Sequence, residues 1–277
     1  MLIYKKDFKY FLIIIIVGGV IMSNLTEQST VHNDFQLLSI KLNLIKRKEW
    51  IESVNKGRGS AGLTLEKQLG IQQNEFNIPD FKSIELKTKR YGCKRPITLF
   101  SSVPDGPGFH EVERLRNDYG YSHSIFKNYK VLGCNICSSK LTKTKSVFYL
   151  KLDLSRQQRK IFISIYNRKK HLIENKVYWD FDTLKEKLDR KLKFLSLVSY
   201  LSKSENNQVY FKYYKSEFFV LKGLNQFIDL LETGKISIIL KIGIYTDKNR
   251  LGKTYDHGCS FVIEKSDLYE MYKKYNV

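Results

Sequence analysis

The sequence predicts a mixed α/β (α+β) body, a central mixed β-sheet flanked by helices and built as two lobes of one chain. Stretches with strand alternation interleave with stretches of helical periodicity, the pattern of a sheet covered by helices. The 277 residues suffice for a sizeable core, and 42% hydrophobic with 27% charged residues is an ordinary globular balance. No repeat, heptad or low-complexity linker points to a solenoid or coiled coil, and no composition break separates independent domains.

Taken in order, His32 to Ile51 reads as an amphipathic helix, with Phe35, Leu38, Leu42 and Ile45 at three- and four-residue steps. The glycine-rich stretch 57–62 leads into a short helix, Leu63 to Leu69, that stops at Gly70. Ile84 to Lys89 alternates as a strand, with Glu85, Lys87 and Lys89 on one face and Ile84, Leu86 and Thr88 on the other. A strand over Ile97 to Phe100 and a helix from about Phe109 to Asp118 follow. Val147 to Leu154 and Lys160 to Tyr166 read as a strand pair. Phe181 to Leu201 reads as a long helix burying Leu184, Leu188, Leu192 and Leu195. Val209 to Leu221 is strand-like, Leu224 to Glu232 helical, and Lys235 to Tyr245 an apolar strand. A basic loop over Thr246 to His257, a strand over Ser260 to Glu264 and a helix from Ser266 to about Tyr275 complete the chain. The expected division is an apolar N-terminal extension over 1–21, a catalytic lobe over 22–205 and a recognition lobe over 206–277.

Forty-eight Lys and Arg against twenty-eight Asp and Glu give a formal charge of +20, which favours a polyanionic partner. Four cysteines, Cys93, Cys134, Cys137 and Cys259, are too sparse for a disulfide scaffold and suit a reducing compartment. Cys134 and Cys137 have the spacing of half a zinc site, with no second pair to complete it. Lys5, Lys6 and Lys9 precede an apolar run from Tyr10 to Met22. Such a run rises only about 20 Å as a helix, short of a hydrocarbon core of roughly 30 Å. A secretory signal is one reading of it. The reading preferred here starts translation at Met22, with a cytoplasmic protein and no membrane partner. Losing residues 1–21 removes three lysines and one aspartate, so the charge falls only from +20 to +18.

Chemistry concentrates at Pro79-Asp80-Phe81-Lys82-Ser83-Ile84-Glu85-Leu86-Lys87. Glu85 and Lys87 share a strand face, whereas Asp80 lies an odd five residues before Glu85. For Asp80 to join them, either the chain bends between Phe81 and Ser83 or Asp80 comes from a neighbouring strand. Two carboxylates and an ammonium suit phosphodiester hydrolysis: the carboxylates Asp80 and Glu85 hold Mg²⁺, and Lys87 acts on the attacking water. Glu66, on the short helix just before the strand, is a further acidic ligand or support. A spacing of this kind on a strand also arises as a plain solvated face.

The segment Gly59-Ser60-Ala61-Gly62-Leu63-Thr64-Leu65-Glu66-Lys67-Gln68-Leu69-Gly70, followed by Pro79-Asp80 and Glu85-Leu86-Lys87, resembles the MvaI/BcnI family of type II restriction endonucleases. More distantly it is similar to the mismatch-repair nickase MutH, both being PD-(D/E)XK nucleases. The likeness is tightest over residues 57–102. It extends loosely to Gly252-Lys253-Thr254-Tyr255-Asp256-His257-Gly258-Cys259-Ser260-Phe261, where Tyr255 and Cys259 stand in place of the family's common histidine and threonine. The resemblance implies a PD-(D/E)XK core, metal on Asp80 and Glu85, Lys87 on the water and Glu66 as the helix-borne acid. It also implies double-stranded DNA as substrate, a monomer cutting short CCNGG-type sites by successive nicks, and a cognate DNA methyltransferase as functional partner.

The loop Tyr245 to His257 holds residue types that read bases: Arg250 and Lys253 suit guanine, and Asp247 and Asp256 can accept from cytosine. The family counterpart of this loop contacts the major groove, which makes His257 a base-edge contact by analogy. Lys89 and Arg90 beside the catalytic segment are expected to hold phosphates. Lys140 to Lys145 and the turn with Arg156, Arg159 and Lys160 are either backbone contacts or plain surface. The alternatives are a MutH-like nicking repair enzyme, a catalytically inactive DNA-binding protein and an exported or membrane-tethered protein.

Overall fold

The computed structural model describes residues 29–57, 59–72, 78–108, 110–256 and 259–277, with Asp256 described by its backbone alone. The apolar N-terminal run and His257 lie outside the described residues. In chain order the elements begin with helix α1 (29–47), β1 (Ile51–Glu52), α2 (Ser60–Leu69), β2 (Ile84–Arg90), β3 (Ile97–Ser101) and α3 (Glu111–Tyr119). They continue with β4 (Tyr121–Ser122), β5 (Lys130–Ile136), β6 (Thr142–Lys143), β7 (Tyr149–Ser155), β8 (Lys160–Tyr166) and β9 (Leu172–Asp180). Helix α4 (Phe181–Lys187) runs on as a π-helical turn over Leu188–Leu192, and β10 (Phe194–Glu205) and β11 (Gln208–Leu221) follow. The chain ends with α5 (Leu224–Glu232), β12 (Ile236–Ile244), β13 (Thr254–Asp256), β14 (Ser260–Ile263), α6 (Lys265–Met271) and β15 (Tyr272–Tyr275). The α+β class predicted from the interleaved periodicities holds, with the strands distributed over three sheets.

The chain forms two compact units, and neither is contiguous in sequence. One takes the described residues up to Thr88 together with Ser196–Phe218 and Tyr275–Val277; the other takes the described residues of Lys89–Leu195 and Phe219–Lys274. The chain passes between the two units four times, each time inside a strand. The sheet with order β1-β11-β10-β2 supplies the first unit, where α1 buries Phe35, Leu38 and Leu42. Phe35 packs edge-on to Phe218 and stacks on Tyr275, with centroid distances of 5.5 and 4.6 Å. In the second unit a sheet ordered β3-β14-β12-β5-β4 carries β13 on β12, and a separate meander runs β6-β7-β8-β9. Strand β12 alternates as its sequence demands: Ile236, Ile238, Leu240, Ile242 and Ile244 are buried while Lys241 is exposed.

Two helices expected from periodicity are corrected. The helix from Phe181 stops by Leu192, and Phe194–Glu205 is strand β10. Residues 195–199 are all buried, the mark of a strand covered on both faces, and a continuous apolar run satisfies a leucine repeat by coincidence. Asn206 and Asn207, with φ of 48° and 62°, make the tight turn that pairs this segment with β11. Likewise α6 ends at Met271 and the chain leaves as β15, not as helix to Tyr275. Strands β5 and β9 were not anticipated. Among the described residues no helix is long and apolar enough to cross a membrane.

Candidate active site

Of the two arrangements that strand parity allows, the chain takes the turn. Phe81 and Ile84 exchange backbone hydrogen bonds of 2.9 and 2.8 Å around Lys82, which sits at φ 51°. Asp34, on the covered side of α1 and only 5% exposed, holds this turn: one carboxylate oxygen accepts from Ser83 Oγ at 2.9 Å and the other faces Lys82 Nζ at 3.0 Å. The folded-back chain brings Asp80 to β2, where Asp80 Oδ2 accepts the Leu86 N–H at 2.8 Å. Alternate residues of a strand direct their N–H groups to the same edge, so this bond continues the edge used by the Ile84–Phe81 pair. Since β2 ends its sheet beside β10, Asp80 occupies the otherwise unpaired edge at the residue between Glu85 and Lys87.

Glu85 is 1% exposed, and its Oε1 accepts from Lys87 Nζ at 2.7 Å. A buried carboxylate is costly unless paired, and Lys87, 21% exposed, supplies the ion partner while remaining open to solvent on one side. Glu66 sits differently. Its Oε1 and the Thr88 hydroxyl both approach Gly62, each within 4 Å of where a Cβ there would lie. Glu66 also lines a depression of about 480 Å³ with Val54, Leu63 and Gly70. Helix α2, which carries it, ends at Gly70 with φ 74°, whose N–H donates to the carbonyls of Glu66 and Lys67. At its start Tyr213 donates from its hydroxyl to the Ala61 carbonyl at 2.6 Å, and burial, with Tyr200 and Glu66 adding to it, pushes that hydroxyl's pKa up. Among the described residues no three His, Cys, Asp or Glu side chains come together to hold a metal ion. The carboxylates at β2 that could hold one are those of Asp80 and Glu85. Asp34 and Tyr213 escaped sequence reasoning. Only a carboxylate between the apolar Val31 and Phe35 signalled the first.

The expected phosphate contacts separate. Arg90 is exposed, whereas Lys89 is buried and donates its ammonium to the Arg95 carbonyl. The basic loop is a built hairpin extending β12 and β13, with Ile244 opposite Thr254 and Ile242 opposite Asp256. Tyr245 N–H donates to Lys253 O at 2.9 Å, and Gly252 N–H returns to Tyr245 O at 3.1 Å. Asp247 accepts from the Arg250 N–H at 3.1 Å and from its Nε at 3.0 Å, and the guanidinium lies 3.9 Å above the Tyr245 ring. Asp247 and Arg250 are exposed and presented together, with Lys253 exposed beside them. Gly252, at φ 83°, faces the Tyr129 ring so closely that a Cβ would stand 2.0 Å from it. Among the described residues the cysteines form no disulfide, and burial pushes the Cys134 thiol up to about 12.

The family model of the MvaI/BcnI restriction endonuclease family matches residues 40–272 of this sequence. The chain belongs to that family. Both the Asp80–Lys87 segment of this MvaI/BcnI family member and its β12–β13 hairpin fall within the match. Among solved structures, restriction endonuclease MvaI in complex with its cognate DNA substrate is similar to it with 29% identity and a TM-score of 0.80. That likeness covers 87% of this chain and 96% of the other. MvaI in the absence of DNA matches with 28% identity and a TM-score of 0.58, over the same shares of the two chains. Comparison with curated proteins gave no match. As a MvaI/BcnI family member the chain is a type II restriction endonuclease acting on DNA.

Proposed function

We propose that this restriction endonuclease cuts double-stranded DNA at a short specific site through Asp80, Glu85 and Lys87, with Mg²⁺ as cofactor and Glu66 in support. The observation that carries this reading is the Phe81–Ile84 turn, which returns Asp80 to the strand edge at Leu86, between Glu85 and Lys87. Two carboxylates fit Mg²⁺, a hard cation that binds through one or two carboxylates while keeping several waters and accepting phosphate oxygens. When bound there, the ion would polarise the scissile phosphate and acidify a water. An ammonium has three protons. Lys87 gives one to Glu85 and has others to orient the attacking water and to stabilise charge on the phosphate. In-line attack displaces the 3′ oxygen, leaving a 5′-phosphate and a 3′-hydroxyl. Target reading belongs to the β12–β13 hairpin, with Asp247, Arg250, Lys253, Asp256 and His257 as base contacts and Arg90 on phosphate. The enzyme acts as a cytoplasmic monomer beside a DNA methyltransferase that protects the host sites.

Plasmid digestion tests this. The wild-type chain with Mg²⁺ gives discrete fragments and with EDTA none, while Lys87→Ala and Asp80→Asn give intact plasmid. A smear, or full activity of Lys87→Ala, would sink the reading. Accumulation of open circles alone would instead favour a MutH-like nicking activity.

A further inference from the structure

The second unit sorts its cations into two groups. Those on the β7–β8 turn are neutralised by neighbours. Arg156 is held by Asp229 and Glu232, each at 2.6 Å, and Arg159 by Asp182 at 2.6 Å. Lys160, just beyond, lies 3.6 Å over the Tyr178 ring and 4.0 Å from Asp180. At the opposite end of the same meander, the β8–β9 turn presents Arg168, Lys169 and Lys170, all exposed and none with an ion-pair partner among the described residues. Their backbone is nonetheless fixed. Asn167 Oδ1 accepts from the N–H groups of Lys169 and His171 at 2.9 and 3.0 Å, and Asn167 N–H donates to His171 O at 3.0 Å. A rigid turn of uncompensated cations has to be maintained against self-repulsion, which plain surface does not require.

This turn also shares an end of the unit with the basic hairpin. Gly252 of that hairpin abuts Tyr129, and the next residue, Lys130, donates to the Asn117 carbonyl near the end of α3 at 2.6 Å. Tyr119 of α3 donates to Glu174 at 2.8 Å, two residues into β9 from Leu172. The β6–β7 turn, with exposed Lys145, reaches the same end through the pairing of Tyr149 with Tyr166. We infer that the β8–β9 turn, Arg168, Lys169 and Lys170 with Lys145 beside it, is a second DNA-backbone contact, gripping phosphates of the duplex outside the bases that are read. Its partner is the phosphate backbone of double-stranded DNA, because the rigidly held Arg168, Lys169 and Lys170, without ion-pair partners among the described residues and in continuity with the hairpin, match a regular line of phosphates. The inference rests on the assignment of the β12–β13 hairpin to DNA.

The test measures binding of the full chain to cognate and to unrelated duplexes, without Mg²⁺, over a series of salt concentrations. Each phosphate contact contributes about 0.9 to the slope of log affinity against log salt. The combined variant Arg168→Ala, Lys169→Ala, Lys170→Ala is expected to lower the slope by about 2 to 3. It should weaken both duplexes equally and leave the fragment pattern unchanged. Arg156→Ala, whose charge is already neutralised, should leave the slope as in wild type. Arg168→Lys, which keeps the charge, should do the same and guards against a folding artefact. A wild-type slope in the triple variant would overturn the inference. So would loss of binding to anionic phosphatidylserine vesicles with duplex binding intact. If the wild-type chain itself binds no duplex, the hairpin assignment falls first, and this inference with it.

Discussion

Asp34 stands among Val31, Phe35 and Leu38 on the covered side of α1, at a place where the helical period calls for an apolar residue. Its carboxylate shapes the turn before β2 through Ser83 and Lys82. A buried hydrogen bond to an ionised group contributes about 1.5–3 kcal/mol, and Lys82 is too exposed for its ion pair to add much. Asp34→Ala is therefore expected to cost about that much in urea unfolding. Its cleavage rate should fall further than its stability, because Asp80 loses the turn that returns it to β2. Asp34→Asn, which keeps an acceptor for Ser83, should recover most of both. Lys87 and Glu85 make a second test by unfolding. Lys87→Ala and Glu85→Gln should each destabilise, and their combination should cost less than the sum of the two, since each single change strands the other's partner. Additive costs would contradict the ion pair. At this scale the turn that brings Asp80 back to the strand of Glu85 and Lys87 was legible because strand parity is a strict rule. Asp34 and Tyr213 were not, because their roles depend on partners remote in the chain.

Among the elements, those bounded by turn chemistry were read well. Gly70 closes α2 and Gly120 follows α3, and the β7–β8 pair falls where its alternation places it. The reading failed where apolar residues run on without interruption. From Phe181 to Leu201 the leucines keep helical spacing, yet Ser196 and Ser199 are as buried as Leu197 and Val198, which only a doubly covered strand explains. Asn206-Asn207 was the available signal. Leu197→Ala should cost about 2–5 kcal/mol by chemical unfolding, since Leu197 is fully buried. Leu201→Ala, at an exposed position of the same strand, should stay within about 0.5 kcal/mol. Equal costs would restore the helix. In the hairpin, Gly252→Ala would have to hold a left-handed backbone and displace the Tyr129 ring. Weaker binding to cognate DNA together with a lowered melting temperature is the expected outcome.

For the whole molecule, the excess of positive charge was plain from composition, but its partition was not. Composition cannot tell that Arg156 and Arg159 are matched by acids while Arg168, Lys169 and Lys170 are not. The Arg114 network shows the opposite use of charge. Burial alone would raise the Glu174 pKa, yet hydrogen bonds from Arg114 and Tyr119 outweigh it and leave the carboxyl below its ordinary range. A depressed carboxylate contributes stability that is full above its unfolded pKa and is lost as pH falls through the folded one. Wild-type stability should therefore drop on acidification below the usual glutamate range more steeply than that of Glu174→Gln, as melting curves against pH would show.

Four strands, β2, β10, β11 and β15, carry the chain across the boundary between its two compact units. A gene cannot exchange either unit with a homologue by one crossover, since every junction would fall inside a paired strand and put its register at risk. On the proposed assignment of the β12–β13 hairpin to base reading, new target preferences arise in place, by substitution within that exposed turn, and not by shuffling of ready-made modules.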